Sequence, residues 1–227
     1  MVWFITIYGD GSRVHKADGS GFFRSLFYYF YTMDPIVAQQ LQHFVNSIHP
    51  LSFAEWEAFS SCWQEVNFKR RELITRAGEV EKYLYFVTAG IQRAYYFDDT
   101  HREVTLVFTY PPSFSGVPDS FQLQQPSDLS FEAITASTML RLSYSEFQRL
   151  VDAYPNIERF VRLATAAALK GVLRRQAEVM VFSAEDRFRS LLKRSPHILN
   201  MIPHKYLASY LGLDATTFSK LLNSVTI

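Results

Sequence analysis

His204-Lys205-Tyr206-Leu207-Ala208-Ser209-Tyr210-Leu211-Gly212-Leu213-Asp214-Ala215-Thr216-Thr217-Phe218-Ser219-Lys220-Leu221-Leu222 is the stretch whose spacing decides how the chain is read. Two helices that cross steeply need a small residue at their contact and a residue tolerant of positive φ at their turn, and Ala208 and Gly212 stand at those places. Leu207, Leu211, Leu213, Phe218 and Leu221 supply the buried side, and Asp214 is placed to cap the second helix. Thr216, Thr217, Ser219, Lys220 and Asn223 are then expected to face outward, on the side that a helix-turn-helix lays in the DNA major groove. Hydroxyls and one ammonium can reach base edges or phosphates from there. His204 and Lys205, at the start of the first helix, are further candidate phosphate contacts, and Asp214 completes the candidate DNA-facing set. An αα-hairpin that only packs is the competing reading.

Upstream of this unit the text stays helical. Ser183-Ala184-Glu185-Asp186 resembles a capping box ahead of Phe188, Leu191 and Leu192, and Ser195-Pro196 and Ile202-Pro203 each open a short helix. From Glu185 onward, Arg187, Arg189, Lys193, Arg194, Lys205 and Lys220 outnumber Glu185, Asp186 and Asp214, a local excess of about +3, the sign phosphate contacts require. The whole chain carries 23 Lys+Arg against 22 Asp+Glu, so no global field draws it to nucleic acid or to a membrane.

A long helical pattern from Asn156 to about Met180 carries Ile157, Phe160, Val161, Ala164, Ala168, Val172 and Val179, with small residues from Ala164 to Ala168 and at Gly171. Heptad-like spacing over this length predicts a parallel homodimer seam; packing on its own domain is the alternative.

Between Glu65 and Leu142 the pattern changes to short β-rich runs: Val66 to Phe68, Leu73 to Thr75, Tyr83 to Thr88, Ile91 to Phe97, Val104 to Tyr110, Phe131 to Thr135 and Met139 to Leu142. Turn signals at Gly78-Glu79, Ala89-Gly90, Asp98-Asp99 and Pro111-Pro112 separate them, which predicts an antiparallel roll, barrel or sandwich. Ser145 to Ala153 reads as a helix ended by Tyr154-Pro155. Ahead of the strands, Asp34-Pro35 opens a helix with Ile36, Val37, Leu41, Phe44, Val45 and Ile48, and Phe53, Trp56, Phe59 and Trp63 form an aromatic face on a second. The native start is expected at Met33, with residues 1–32 an upstream extension; the aromatic run Phe22 to Tyr31 is about half the roughly 20 residues of a membrane span. The single cysteine, Cys62, forms no internal disulfide and is expected to be a buried, inert thiol in a reducing compartment, the cytoplasm.

Several stretches together resemble the Crp/Fnr family of bacterial regulators, over nearly everything from Met33 onward. Glu81-Lys82-Tyr83-Leu84-Tyr85-Phe86-Val87-Thr88-Ala89-Gly90 is similar to its strand-and-turn signature, and Glu132-Ala133-Ile134-Thr135 with Leu142-Ser143-Tyr144 resembles the end of its β-roll. Ile202 to Gly212 resembles the helix-turn-helix of a branch common in Bacteroidetes-type bacteria. The resemblance implies an α+β fold: a cyclic-nucleotide-binding-like antiparallel β-roll sensor at 33–154 (a double-stranded β-helix), a central dimerisation helix at 155–181, and a winged-helix-type DNA-binding unit at 182–227. Its implied partners are double-stranded DNA, a second copy of the chain and a small-molecule effector.

In such sensors a short helix after a Phe-Gly-Glu-type motif offers amides to the phosphate, a glutamate holds the ribose and an arginine pairs with the phosphate. The matching stretch here is Phe114-Ser115-Gly116-Val117-Pro118, with Val117 at the glutamate position, Pro118 lacking an amide proton, and Ser127-Asp128 at the arginine position. Phe114, Gly116, Val117, Ser127 and Asp128 are thus the candidate effector pocket, and cyclic AMP and cyclic GMP are not expected to bind in the usual way. One cysteine cannot hold an iron–sulfur cluster, and the spacing of His43, His49, His101, His197 and His204 selects no haem or metal ligand. No cofactor is expected. No nucleophile elbow, phosphate loop or carboxylate pair marks an enzyme, and Glu79 and Glu81 read as solvated charge at a strand edge. A second basic residue usual after the position of Lys220 is replaced by Leu222-Asn223, which keeps open a second function: a degenerate sensor that dimerises without reading DNA.

Overall fold

The computed structural model describes residues 33–100 and 102–224; the 1–32 extension with its aromatic run, the proposed start's upstream context and His101 lie outside them. Helix α1 (Pro35–Ile48) starts where Asp34 accepts the amide protons of Ile36 (2.8 Å) and Val37 (3.3 Å), with Pro35 in the first turn, where its missing N–H costs nothing. Helix α2 (Phe53–Ser60) starts on a reciprocal Ser52–Glu55 capping box. Of its expected aromatic face, Trp56, Phe59 and Trp63 are buried, whereas Phe53 is 76% exposed, because it sits in the first turn beyond the reach of the sheet.

Eight strands follow: β1 (Gln64–Phe68), β2 (Leu73–Thr75), β3 (Tyr83–Ala89), β4 (Gln92–Phe97), β5 (Glu103–Thr109), β6 (Ser113–Ser115), β7 (Ser130–Ala133) and β8 (Ser137–Ser143). They form two antiparallel four-stranded sheets, β1-β8-β3-β6 and β2-β7-β4-β5, closing a β-roll. Strand β6 escaped the pattern of runs, while the short helix α3 (Pro118–Leu123), inserted between β6 and β7, stands where the resemblance implies a short helix. A three-residue strand beside a double proline carries too little alternation to register.

Side-chain alternation sorts the roll into layers. On β3, Leu84 and Phe86 face outward onto α1, α2 and two later helices, α4 (Tyr144–Ala153) and α5 (Pro155–Val181), while Tyr85 and Val87 face the roll interior with Ala94, Val107, Val117, Phe131 and Met139. Buried on both sides, β3 reads in sequence as an unbroken apolar run. The outer face of the second sheet presents Ile91, Phe108, Tyr110 and Ile134 to the C-terminal helices α6 (Ala184–Arg194), α7 (Ile198–Met201), α8 (His204–Leu211) and α9 (Ala215–Ser224). Helices therefore flank both sheets. Among the described residues no strand lies beyond β8, so the unit from α6 to α9 is helical and shows no wing.

Helix α5 departs from the expected seam. Ile157, Phe160, Ala164 and Ala168, named as heptad positions, pack on the roll's own helices, because the first half of α5 lies across α1 and α4. On the opposite side Arg162, Ala166, Leu169, Leu173, Gln176 and Met180 recur at alternating four- and three-residue steps, all exposed, with Leu169 at 53%, Leu173 at 55% and Met180 at 77%. No described helix is long and apolar enough to cross a membrane.

Candidate functional site

Helices α8 and α9 form the crossed pair. Gly212 ends α8 in the left-handed region (φ 66°), its N–H bonding the Ser209 carbonyl at 3.0 Å while the Leu213 N–H reaches the Ala208 carbonyl at 2.9 Å. A Cβ at Gly212 would lie 3.2 Å from Nη1 of Arg187, so both conformation and space favour glycine there. Asp214 caps α9: its carboxylate accepts the Thr217 N–H (2.8 Å) and hydroxyl (2.7 Å), which hold it below the usual carboxylate range. Leu207, Ala208, Leu211 and Phe218 are buried at the crossing, with Phe218 edge-on to Phe188 at 5.6 Å and near the ring of His204 at 5.6 Å.

Ala215, Thr216, Ser219, Lys220 and Asn223 occupy the exposed side of α9, and His204 and Lys205 are exposed at the start of α8. Thr217 is half-buried and gives its hydroxyl to Asp214, so those two residues build the cap. Lys205 rests its ammonium 4.4 Å above the Tyr206 ring.

Helix α8 also docks on the second sheet of the β-roll. The Ser209 hydroxyl accepts the Thr105 N–H of β5 (2.9 Å) and donates to the Glu103 carbonyl (3.2 Å), satisfying groups on the open edge of the sheet. Arg93 of β4, only 2% exposed, stacks its guanidinium between Tyr95 (4.2 Å) and Tyr206 of α8 (3.9 Å) and binds Glu132, Glu103 and Thr105. Burial works against its charge, but the hydrogen bonds and fields of Glu103 and Glu132 prevail and raise the guanidinium above its ordinary value. A bulge at Leu106 lets Glu103 and Thr105 share the outer face with Phe108 and Tyr110. Phe108 meets Tyr210 at 5.4 Å, and the Tyr110 hydroxyl meets that of Ser195 at 3.0 Å. On the far side Arg175 of α5 lies 4.4 Å over Tyr210, and Glu178 binds Arg194 (2.6 Å) and Ser190 (3.1 Å) of α6. Burial would raise the Glu178 carboxyl, but Arg194 outweighs it and the group stays below its ordinary value. None of these interdomain pins was read from the sequence; an arginine inside the β-rich run Ile91 to Phe97 was the available signal.

The five candidate effector residues do not line one cavity. Phe114 belongs to the layer under α5 with Phe44, Phe86 and Phe160, whereas Val117 plugs the roll interior beside Tyr85 and Phe131. Gly116 holds φ 114° where a Cβ would stand 3.3 Å from the Tyr85 ring. Ser127 is buried and bonds the backbone of Leu129, and Asp128 is exposed. The apolar cleft between α3 and α5, lined by Leu84, Phe114, Phe121, Phe147, Phe160 and Val161, leaves room for no more than about one water.

Glu81 corrects the sequence reading. Glu79 is exposed as expected, but Glu81 is 2% exposed, its carboxylate accepting the Thr75 hydroxyl (2.6 Å) and the Tyr83 N–H (3.2 Å) and facing the Val117 amide at the start of α3. Its own N–H donates to Ser120 Oγ (3.0 Å). Burial pushes its carboxyl above the ordinary range despite these donors. Cys62 is half-buried rather than buried, because it lies at the rim where α4 begins; burial and the adjacent Glu146 carboxylate raise its thiol pKa. Among the described residues no cluster of His, Cys, Asp or Glu is arranged to hold a metal.

Two antiparallel sheets around an apolar interior, a short helix after β6, a long helix and a terminal helix pair make up the described fold. Residues 65–154 match the family model described as cyclic nucleotide-binding domain. No curated protein matches the chain's sequence. Solved structures share the fold: FixK2 from Bradyrhizobium japonicum at 19% identity and TM-score 0.65, over 71% of this chain and 83% of that one. A protein from Eubacterium rectale described as of the crp/fnr family aligns at 18% identity and TM-score 0.61, over 76% and 82%. The c-di-GMP responsive global regulator CLP of Xanthomonas campestris aligns at 18% identity and TM-score 0.58, over 76% and 90%. Residues 65–154 thus resemble a cyclic nucleotide-binding domain, and the chain shares the fold of these regulators.

Proposed function

We propose that this chain is a one-component, DNA-binding transcription regulator of Crp/Fnr type, with a sensor at 33–154, a dimerisation helix at 155–181 and a reading head at 182–227. The observation that carries the reading is the division of α9: Phe218 is buried, while Thr216, Ser219, Lys220 and Asn223 stand free on one side. That is the face a recognition helix needs in a major groove. The exposed Leu169, Leu173 and Met180 supply the seam for a homodimer in the cytoplasm, whose two-fold symmetry would match paired half-sites.

The effector is a small molecule other than cyclic AMP or cyclic GMP. The residues present do not fit a cyclic nucleotide: no arginine stands at 127–128, Val117 fills the glutamate position, and the Glu81 carboxylate faces the amide that a phosphate would need. A second anion there would be repelled, by about 1 kcal/mol or more even in a wet pocket. The second reading, a dimerising sensor that does not read DNA, is favoured by one observation: α9 carries a single cation, Lys220. Selection from a random duplex pool, followed by gel shifts across salt, separates the two. A regulator enriches a motif and loses affinity as salt rises, while the alternative retains no duplex.

A further inference from the structure

We infer that Arg93 is a positioning residue in an intramolecular latch that holds the reading head on the sensor sheet and lowers its affinity for DNA. The inference rests on the DNA-binding reading above and adds to it a contact between two parts of one chain. Three observations meet at the latch. Arg93 is buried between a sensor ring, Tyr95, and a reading-head ring, Tyr206, with its donors taken by Glu103, Glu132 and Thr105. Ser209 closes the open edge of β5 at Thr105 and Glu103. Ile91, Phe108, Tyr110 and Ile134 of the sensor share one apolar cluster with Phe188, Leu207 and Leu211, so the reading head's core is completed by the sheet.

The latch acts on DNA through Lys205. In the docked pose its ammonium lies on the Tyr206 ring, the same ring that Arg93 stacks on, and within the field of Glu103, whose carboxyl Arg93 and Lys205 both hold below its ordinary value. A DNA phosphate approaching Lys205 must compete with both partners. Lifting α8 from β5 removes that competition and frees the orientation of α9, so effectors or variants that weaken the Arg93 stack shift the population toward the DNA-competent pose.

The test uses the full chain and a mixed-sequence fluorescent duplex as probe. Arg93→Met is expected to speed hydrogen exchange across α8 and tighten duplex binding at least about five-fold. In a Cys62→Ser background, the pair Thr105→Cys and Ser209→Cys closes the latch reversibly: oxidation is expected to weaken binding at least about five-fold, and reductant to restore it. Failure of the pair to oxidise, unchanged exchange in Arg93→Met, or oxidised protein binding as well as reduced overturns the latch. If Arg93→Met opens α8 but no form binds any duplex, the opening supports the latch and the silence overturns the DNA-binding reading.

Discussion

The interior of the β-roll and the outer side of α9 are opposite answers to the same question of where a ligand fits. In the roll, Tyr85, Val117, Phe131 and Met139 interdigitate and a buried carboxylate, Glu81, faces the start of α3. On α9, hydroxyls, an amide and an ammonium are exposed, with no described residue over them. The first region is closed by packing and the second is open and polar. A β-roll can thus have its interior filled by its own side chains while a polar helix face elsewhere in the same fold stays open.

The strongest way to break the comparison is to hollow the roll. Phe131→Ala removes a buried ring that packs on Tyr85 and is expected to cost about 3–5 kcal/mol in denaturant unfolding. A loss under about 1 kcal/mol would show the interior to be loosely packed and open to a ligand. Next comes the proposed seam: Leu173→Asp should turn a dimer into monomer in sedimentation equilibrium while the roll stays folded, because Leu173 is exposed and lies outside its own subunit's core. A dimer that survives would place the interface elsewhere.

A smaller effect tests the Glu81 carboxyl. Its folded pKa lies above the unfolded value near 4.5, so the fold favours the neutral acid. That contribution is complete below the unfolded value and is lost as pH rises through the folded one. Glu81→Gln should therefore become more stable relative to the parent as pH rises, and a gap that is constant with pH would contradict the assignment. The smallest effect is Thr216→Ala, expected to alter stability by no more than about 0.5 kcal/mol while weakening duplex binding by about 1 kcal/mol. A large stability loss would mean that α9 is not a free surface.

Much of this was legible in residue order because it is local. Asp34, Ser183 and Asp214 cap helices where capping chemistry predicts, and Gly212 turns where positive φ is needed. All strands but β6 announced themselves by runs and turns. Illegible were the features that depend on which faces meet. Ile157 and Phe160 carry a heptad-like spacing, yet the roll claims them, and the exposed Leu169, Leu173 and Met180 run down the other side of the same helix. Glu81 looks like any turn glutamate until β2 and α3 close over it. Arg93 lies in an ordinary strand, and its burial follows only from a helix more than a hundred residues downstream folding onto its face.

Duplex binding by Lys220→Ala beside the parent, followed by fluorescence anisotropy across a salt series, tests the central claim most directly. The account predicts that the parent's affinity falls as salt rises and that the variant binds more weakly, with a salt slope smaller by about one unit. Identical curves for the two proteins, or no binding by the parent at low salt, would contradict it.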